Sequence, residues 1–466
     1  MRAGSDGRRR ADSLRNERRI LEAARRLLEQ SPEATFSEIA SAAGVSRSTV
    51  YRRFASRGRL IAALEARPED GPLPSPEEEP LPAGRLGRRR GVELDAIQVL
   101  DVVPPALLPE QLVAEAQRIA EVPVALYVLD IDGSHLLHMA GPDQLGIELP
   151  APLAIGPELD AAGVSMLRAD LARLPGVELF ALWLRGRAIG ALVAFGRPRS
   201  PLTELARQAT AAITLADRYT DAFAGAQRRK QPHPAAEIQQ SLLPPRISRI
   251  TGGEVAGNVL PSYEVAGDWF DVVENADGVW VTLADGLGPT TRSAASSAIA
   301  LGALRASRRS GATISESLMV MHRTLSEMPG PKTEMTAVIA HWDATNHELR
   351  IANCGHVPPL ILREGGEAEI LSFARSRGLG GRSTPKPAEQ HCHLASGDRM
   401  LMVSEGVVSS SDGGAGIGIE GTIEAALRSR EGSASDTVRE VHRAVLALDG
   451  GGRLADDATA VCLAAG

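Results

Sequence analysis

The chain has 466 residues, 43% of them hydrophobic, and a formal net charge of −7. That length excludes one ordinary domain and that apolar content excludes a disordered chain, so two to four globular domains are expected. No run of about 18 apolar residues and no leader pattern is visible, so a soluble, cytoplasmic protein without a membrane partner is expected.

The charge is uneven. Residues 1–67 hold 15 Arg against 8 acidic residues, a net of +7, which leaves −14 for the remainder. A basic head on an acidic body places any nucleic-acid contact in the head. Cys354, Cys392 and Cys462 lie far apart without zinc spacing, which fits a reducing compartment.

In the head, Ile20, Ala23, Ala24, Leu27 and Leu28 recur at helical spacing. The stretch from Phe36 to Ala43 reads as a second helix, and Gly44-Val45-Ser46 as a tight turn with a Ser N-cap. A third helix from Arg47 to Phe54 offers Arg47, Ser48, Thr49, Tyr51 and Arg52 on its polar face. Such a bundle serves either as a DNA-binding head or as a three-helix protein-interaction module. From about residue 17 to residue 65 these residues resemble the TetR-type helix-turn-helix, including Tyr51 and Phe54-Ala55-Ser56-Arg57, with Arg57 where that family usually has Lys. The resemblance implies duplex DNA as partner, with the third helix in the major groove. Arg8, Arg9 and Arg10 are candidates for phosphate contacts. Residues 68–90 carry six prolines and Glu77-Glu78-Glu79, an extended linker. The all-helical domain usual after a TetR-type head does not follow.

Residues 91–225 form the next expected domain. Val124–Asp130 and Leu136–Ala140 flank Asp132-Gly133, and Leu179–Leu184 and Ala188–Phe195 flank Arg185-Gly186-Arg187, so each pair reads as a hairpin. The arrangement resembles an α/β GAF sensor domain, which implies an unidentified small ligand. His135 and His138 read as ordinary surface or core residues. Leu202, Leu205, Ala209, Ala212, Ala216, Tyr219, Phe223 and Ala226 step by alternating threes and fours. That stripe suits either a parallel helix pair, hence a homodimer, or a helix packed on the module's own sheet.

Four acidic stretches mark residues 235–466: Gly267-Asp268-Trp269-Phe270-Asp271, Ala284-Asp285-Gly286-Leu287-Gly288, Ser404-Glu405-Gly406 and Asp456-Asp457-Ala458-Thr459. Each borders a run that reads as a β-strand. Carboxylates at strand ends can converge, and converging carboxylates repel one another unless a hard divalent cation sits among them. Such a site is a common device for hydrolysing phosphate esters.

With Glu237–Pro244 and the Gly355-His356-Val357-Pro358-Pro359 fingerprint, these stretches resemble the SpoIIE-type branch of the metal-dependent serine/threonine phosphatases. The resemblance implies an α/β/β/α sandwich with two Mn²⁺ or Mg²⁺ ions and hydrolysis of phosphoserine or phosphothreonine by a metal-activated hydroxide. By position, Asp268, Asp285, Glu405 and Asp456 form the catalytic set. Asp285 and the Gly286 carbonyl would bridge the ions, Asp268 would serve one, and Glu405 and Asp456 the other. Asp457 competes with Asp456, and Asp457 and Asp271 are supporting candidates. An anti-sigma-factor antagonist is the type of phosphoprotein partner implied. Two departures matter: Glu405 stands where the family has Asp, and Pro289-Thr290 where it usually has His-Gly. They leave open a transcriptional regulator with a weakened phosphatase-like domain, or a phosphoprotein-binding scaffold. A multidomain chain is expected, with an all-α head, an α/β middle and the sandwich.

Overall fold

A computed structural model describes residues 19–27, 39, 42–45, 64, 103–229, 234–261, 267–287, 290–330, 333–374, 376–408, 416–448, 454 and 456–466. The chain divides into two compact units, residues 1–92 and 93–466. In the first, residues 19–27 are helical, and Ile20, Ala23 and Ala24 are buried with Ile39 and Ala43. Gly44 turns the chain at φ +60°, a conformation that favours glycine. The Arg25 guanidinium donates to the Leu64 carbonyl at 3.2 Å. The expected DNA-reading residues Arg47, Ser48, Thr49, Tyr51, Arg52 and Arg57 lie outside the described residues.

The second unit opens with α1 (Leu108–Ala120), then β1 (Val124–Leu129), β2 (His135–Ala140), β3 (Glu148–Pro150), α2 (Ala161–Leu171), β4 (Val177–Leu184), β5 (Arg187–Phe195), α3 (Thr203–Ala216) and α4 (Ala222–Ala226). The strands form one antiparallel sheet in the order β3-β2-β1-β5-β4. Both expected hairpins are present. At the first, the Asp130 carboxylate accepts from Ser134 N (2.7 Å) and His135 N (2.9 Å), closing the turn through Gly133. β1 is apolar at every position because both its faces are covered. Leu126 faces α1 and α3, while Ala125 and Tyr127 face α2.

The stripe from Leu202 belongs to this module's own core. Leu205, Ala209, Ala212 and Ala216 of α3 are buried with Phe180, Leu182 and Leu192 of the sheet. The helix ends at Ala216, and α4 is a separate turn. Of the two readings of the stripe, the packing favours the helix on the module's own sheet, where the Ala-rich face fits closely. In Ala212→Glu a charge would enter a site 1% exposed. We expect a loss of at least about 3 kcal/mol in thermal unfolding and no change in molecular mass by light scattering; a clean switch from dimer to monomer would restore the seam.

α5 (Pro234–Leu242) leads into β6 (Ile247–Ile250), β7 (Gly253–Leu260), β8 (Trp269–Asn275) and β9 (Gly278–Gly286). Next come α6 (Thr290–Arg309), α7 (Ile314–Ser326), β10 (Met335–Asp343), β11 (Glu348–Cys354), β12 (Leu360–Leu362), β13 (Ala368–Ile370), β14 (Ala388–His393) and β15 (Arg399–Val403). The chain closes with α8 (Glu405–Val408), α9 (Gly418–Leu427), α10 (Ala434–Leu448) and β16 (Ala458–Ala465). Two antiparallel sheets result, β14-β11-β10-β9-β8 and β13-β12-β15-β16-β7-β6.

Strand alternation builds the layers. Val279, Val281 and Leu283 of β9 meet Val461 and Leu463 of β16 between the sheets. Trp280 and Ala284 face outward under α6 and α7. Ala460 and Cys462 face the other way, under α9 and α10. The result is the expected α/β/β/α sandwich. Among the described residues no helix is long and apolar enough to cross a membrane.

Candidate active site

Asp285 is the penultimate residue of β9 and shares its inner face with Val281 and Leu283. Asp268 immediately precedes β8 and continues the parity of Phe270, so it too lies between the sheets. Asp456 and Asp457 precede β16, and Glu405 follows β15, which is the neighbour of β16. Three glycines let these segments meet. A Cβ on Gly267 would lie 2.6 Å from the Gly286 oxygen, and one on Gly406 would lie 2.2 Å from the Asp457 oxygen. A Cβ on Gly286 would lie 2.7 Å from Ser293 Oγ. At Gly267 and Gly406 the backbone beside an acid therefore passes another backbone at a distance no Cβ permits.

Hydrogen bonds stitch the two sheets at this end. Thr459, on the inner face of β16, donates its hydroxyl to Asp268 Oδ2. Ser404 Oγ accepts from Thr459 N at 2.9 Å and donates to the Asp457 carbonyl at 3.2 Å. Ser297 Oγ donates to the Gly267 carbonyl at 2.7 Å, and Ser293 Oγ to the Gly286 carbonyl at 2.6 Å. From α5, Gln239 Nε2 reaches the Asp268 carbonyl at 2.9 Å and Asp457 Oδ2. Gln239 is 2% exposed, so its amide is fully committed to this corner.

The carboxylates act on one another. Burial pushes Asp285 up to about 7, with the charges of Asp456, Asp457 and Glu405 adding and a hydrogen bond from Asp268 opposing. Asp268 is raised well above the usual range by burial, then by Asp285 and Asp457. Asp456 is raised by burial and then by Glu405. Five acids from four segments thus sense each other, although no three of the described side chains are already closed around a single point. The donors are all hard oxygens, and a divalent cation would relieve their repulsion. The donor set therefore fits Mg²⁺ or Mn²⁺.

The expected residues divide in three ways. Asp268 and Asp285 are buried together, while Asp456 is half-buried beside them. Asp457 is buried and engaged by Gln239, whereas Glu405 is exposed on the first residue of α8. Asp271 is a correction. It shares the outward parity of Trp269, and Arg305 and Arg308 of α6 each bond it at 2.9 Å. It anchors α6 to β8 instead of supporting the acid cluster. Gly288 and Pro289 lie outside the described residues, and Thr290 opens α6.

Sequence reasoning missed Gln239, Thr459, Ser404, Ser293 and Ser297. Thr459 and Ser404 stood inside quoted motifs, and their adjacency to the acids was the available signal. Gln239 lies within the Glu237–Pro244 stretch, but nothing in the chain marks a glutamine as buried before its partners are placed.

Residues 275–465 match the family described as Stage II sporulation protein E, and residues 20–64 match the bacterial regulatory proteins of the tetR family. Phosphoserine phosphatase RsbU of Bacillus subtilis (strain 168) is 21% identical over 173 residues, 37% of this chain and 52% of that protein. The chain thus spans about half the length of this curated relative. Among solved structures, the RsbU and RsbW domains of a Mycobacterium tuberculosis protein align at 23% identity and TM-score 0.41, over 46% of this chain and 60% of that one. The SiaA-PP2C domain of Pseudomonas aeruginosa aligns at 20% identity and TM-score 0.39, over 45% and 84%. One polypeptide thus carries a match to the SpoIIE family over residues 275–465 and a match to the tetR family over residues 20–64.

Proposed function

We propose that the chain is a protein serine/threonine phosphatase whose site is built by Asp268, Asp285, Glu405 and Asp456, regulated by its middle module and coupled to a DNA-binding head. The burial of Asp268 and Asp285 together between the two sheets, with Asp456 and Glu405 at the adjoining strand ends, carries the reading. Two divalent cations, Mn²⁺ or Mg²⁺, would supply Lewis acidity for the phosphoryl group and a nucleophile at neutral pH. Asp285 and the Gly286 carbonyl would hold the shared position, Asp268 one outer position, and Glu405 with Asp456 the other. Thr459 and Gln239 orient Asp268 and Asp457, the role that hydrogen-bonded neighbours play at metal centres. The buried inner faces exclude bulk water behind the carboxylates, so charge there acts at low dielectric.

The matched relative's name, a phosphoserine phosphatase, motivates a phosphoserine protein as substrate, of the anti-sigma-factor-antagonist type. Mn²⁺-dependent hydrolysis of a generic phosphate ester and of a phosphoserine peptide by the full chain tests the assignment. Absence of both activities, with no Mn²⁺ uptake by calorimetry, would leave the weakened regulator or the scaffold. The exposure of Glu405, in contrast to the buried Asp268 and Asp285, is the observation favouring that second reading.

Glu405 gives a finer test. Gly406 fixes the backbone against Asp457, so the extra methylene is carried by the side chain alone. Mg²⁺ demands near-ideal octahedral geometry. We expect wild type to prefer Mn²⁺, and Glu405→Asp to raise turnover with Mg²⁺ by roughly tenfold. Steady-state rates with each metal decide, and a variant no better with Mg²⁺ disproves the misfit.

Residues 1–67 are proposed as the duplex-DNA-binding domain, 68–90 as linker, 91–225 as a GAF-like sensor for a small ligand and 235–466 as the phosphatase domain. Arg47→Ala or Tyr51→Ala should cost about 1–3 kcal/mol of specific DNA affinity if that side chain reads a base. Selection from a random duplex pool checks this; no enriched sequence would favour the protein-interaction module.

A further inference from the structure

Two buried carboxylates from a single loop of the middle module bond the phosphatase domain, beside contacts of Arg185 with Glu274 and Arg249. Glu158 Oε2 accepts from Ile247 N of β6 at 2.7 Å, and its Oε1 lies 3.1 Å from Arg187 Nε. Asp160 caps α2 by accepting from Gly163 N at 2.7 Å. Its other oxygen accepts from Ser435 Oγ and Arg439 Nη1 of α10, both at 2.7 Å. Glu158, Asp160 and Arg187 are all buried.

The Glu158 side of this joint continues into the phosphatase. Arg246, 5% exposed, feels the Glu158 charge and is held down to about 10 by burial. Its Nη1 donates to the Pro244 carbonyl at 2.9 Å and its Nη2 to Gln240 Oε1 at 2.7 Å. The guanidinium also lies 5.9 Å from the centre of the Phe270 ring, two residues beyond Asp268. Gln240 is next to Gln239, which bonds the Asp268 carbonyl and the Asp457 carboxylate. The partners of Asp160 lie in the first turns of α10, away from α5.

We propose that Glu158 is a positioning residue of the phosphatase site, supplied by the middle module and acting through Arg246, Gln240 and α5 on Asp268 and Asp457. The proposal rests on the phosphatase reading above. Its physical basis is the bond from Ile247 N to Glu158, which fixes the backbone beside Arg246, while the Arg246 fork, bonded to Pro244 O and Gln240 Oε1, fixes the end of α5. A change in the middle module that withdraws Glu158 would loosen α5 and with it the two acids.

The experiment uses the full chain with Mn²⁺ as probe. Glu158→Gln keeps an acceptor for Ile247 N and removes the charge. It should weaken Mn²⁺ binding by calorimetry by about tenfold and speed amide exchange across residues 235–242. Excess Mn²⁺ should restore turnover at a temperature where the metal-free variant is still folded, so that stabilisation by the ion does not supply the rescue. Gln240→Ala, which leaves the joint untouched, should reproduce the loss, and the double variant should be no worse than either single one. Asp160→Asn should leave Mn²⁺ affinity unchanged. Wild-type affinity in Glu158→Gln, or an equal loss in Asp160→Asn, overturns the proposal. If Glu158→Gln does not fold, Gln240→Ala decides alone. If the wild-type chain takes up no Mn²⁺, the phosphatase reading fails, and exchange across 235–242 still judges the coupling: unchanged rates in Glu158→Gln refute it.

Discussion

In Asp285→Asn, Mn²⁺ binding and phosphoester hydrolysis should both fall by more than about 100-fold while the fold survives. The side chain sits at the inner end of β9, opposite Thr336 of β10, among the charges of Asp456, Asp457 and Glu405. Asn preserves the volume and removes one of several repelling charges. The metal-free variant should therefore melt no lower than wild type in chelator. Wild type should gain stability on adding Mn²⁺, because the ion binds only the folded state, and the variant should not. Paired thermal melts and calorimetry measure both effects. A variant that binds Mn²⁺ as tightly as wild type removes Asp285 from the ligand set.

Gly267→Ala should damage the same site from the backbone. Its new Cβ would lie 2.0 Å from Ser293 Oγ, 2.6 Å from the Gly286 oxygen and 2.7 Å from the Gly286 Cα. The hydroxyl can rotate away, but the Gly286 backbone lies in a paired strand and cannot. Forcing these segments apart should cost about 1–3 kcal/mol and separate Asp268 from Asp285, so activity should fall further than stability alone predicts. Adding Ser293→Ala removes the nearest atom and leaves the backbone clash, so it should recover little. Denaturant melts with rate measurements check this, and a Gly267→Ala protein with wild-type stability and turnover would refute the close approach.

Much of the site is legible along the chain because its parts are local. Gly267-Asp268, Asp285-Gly286 and Glu405-Gly406 each place an acid beside the residue that lets its backbone approach another. Each pair adjoins an apolar strand. The parity of β8 even carried the correct answer for Asp271, since a residue in step with Trp269 must face the helices while one in step with Phe270 faces the other sheet. The resemblance of the whole motif, which assigned Asp271 a supporting role, obscured that simpler signal.

The stripe from Leu202 shows the opposite case. Its spacing is equally good for a helix partner and for a sheet, because an apolar seam records only that something covers it. The packing of α3 on its own module decides between them.

The sequence alone determined both hairpins of the middle module and the carboxylates at the strand ends, because strand alternation, turn residues and local motifs are written over a few neighbouring positions; the two-sheet sandwich came from the resemblance of the whole motif. Tertiary structure alone decided that α3 packs inward, that Asp271 belongs to Arg305 and Arg308, that Gln239 holds Asp268 and Asp457, and that Glu158 and Asp160 clasp the C-terminal sandwich. Each of these is a pairing between residues distant along the chain. A polar side chain carries no local mark of its partner, and burial selects that partner only when the folded chain removes both from water.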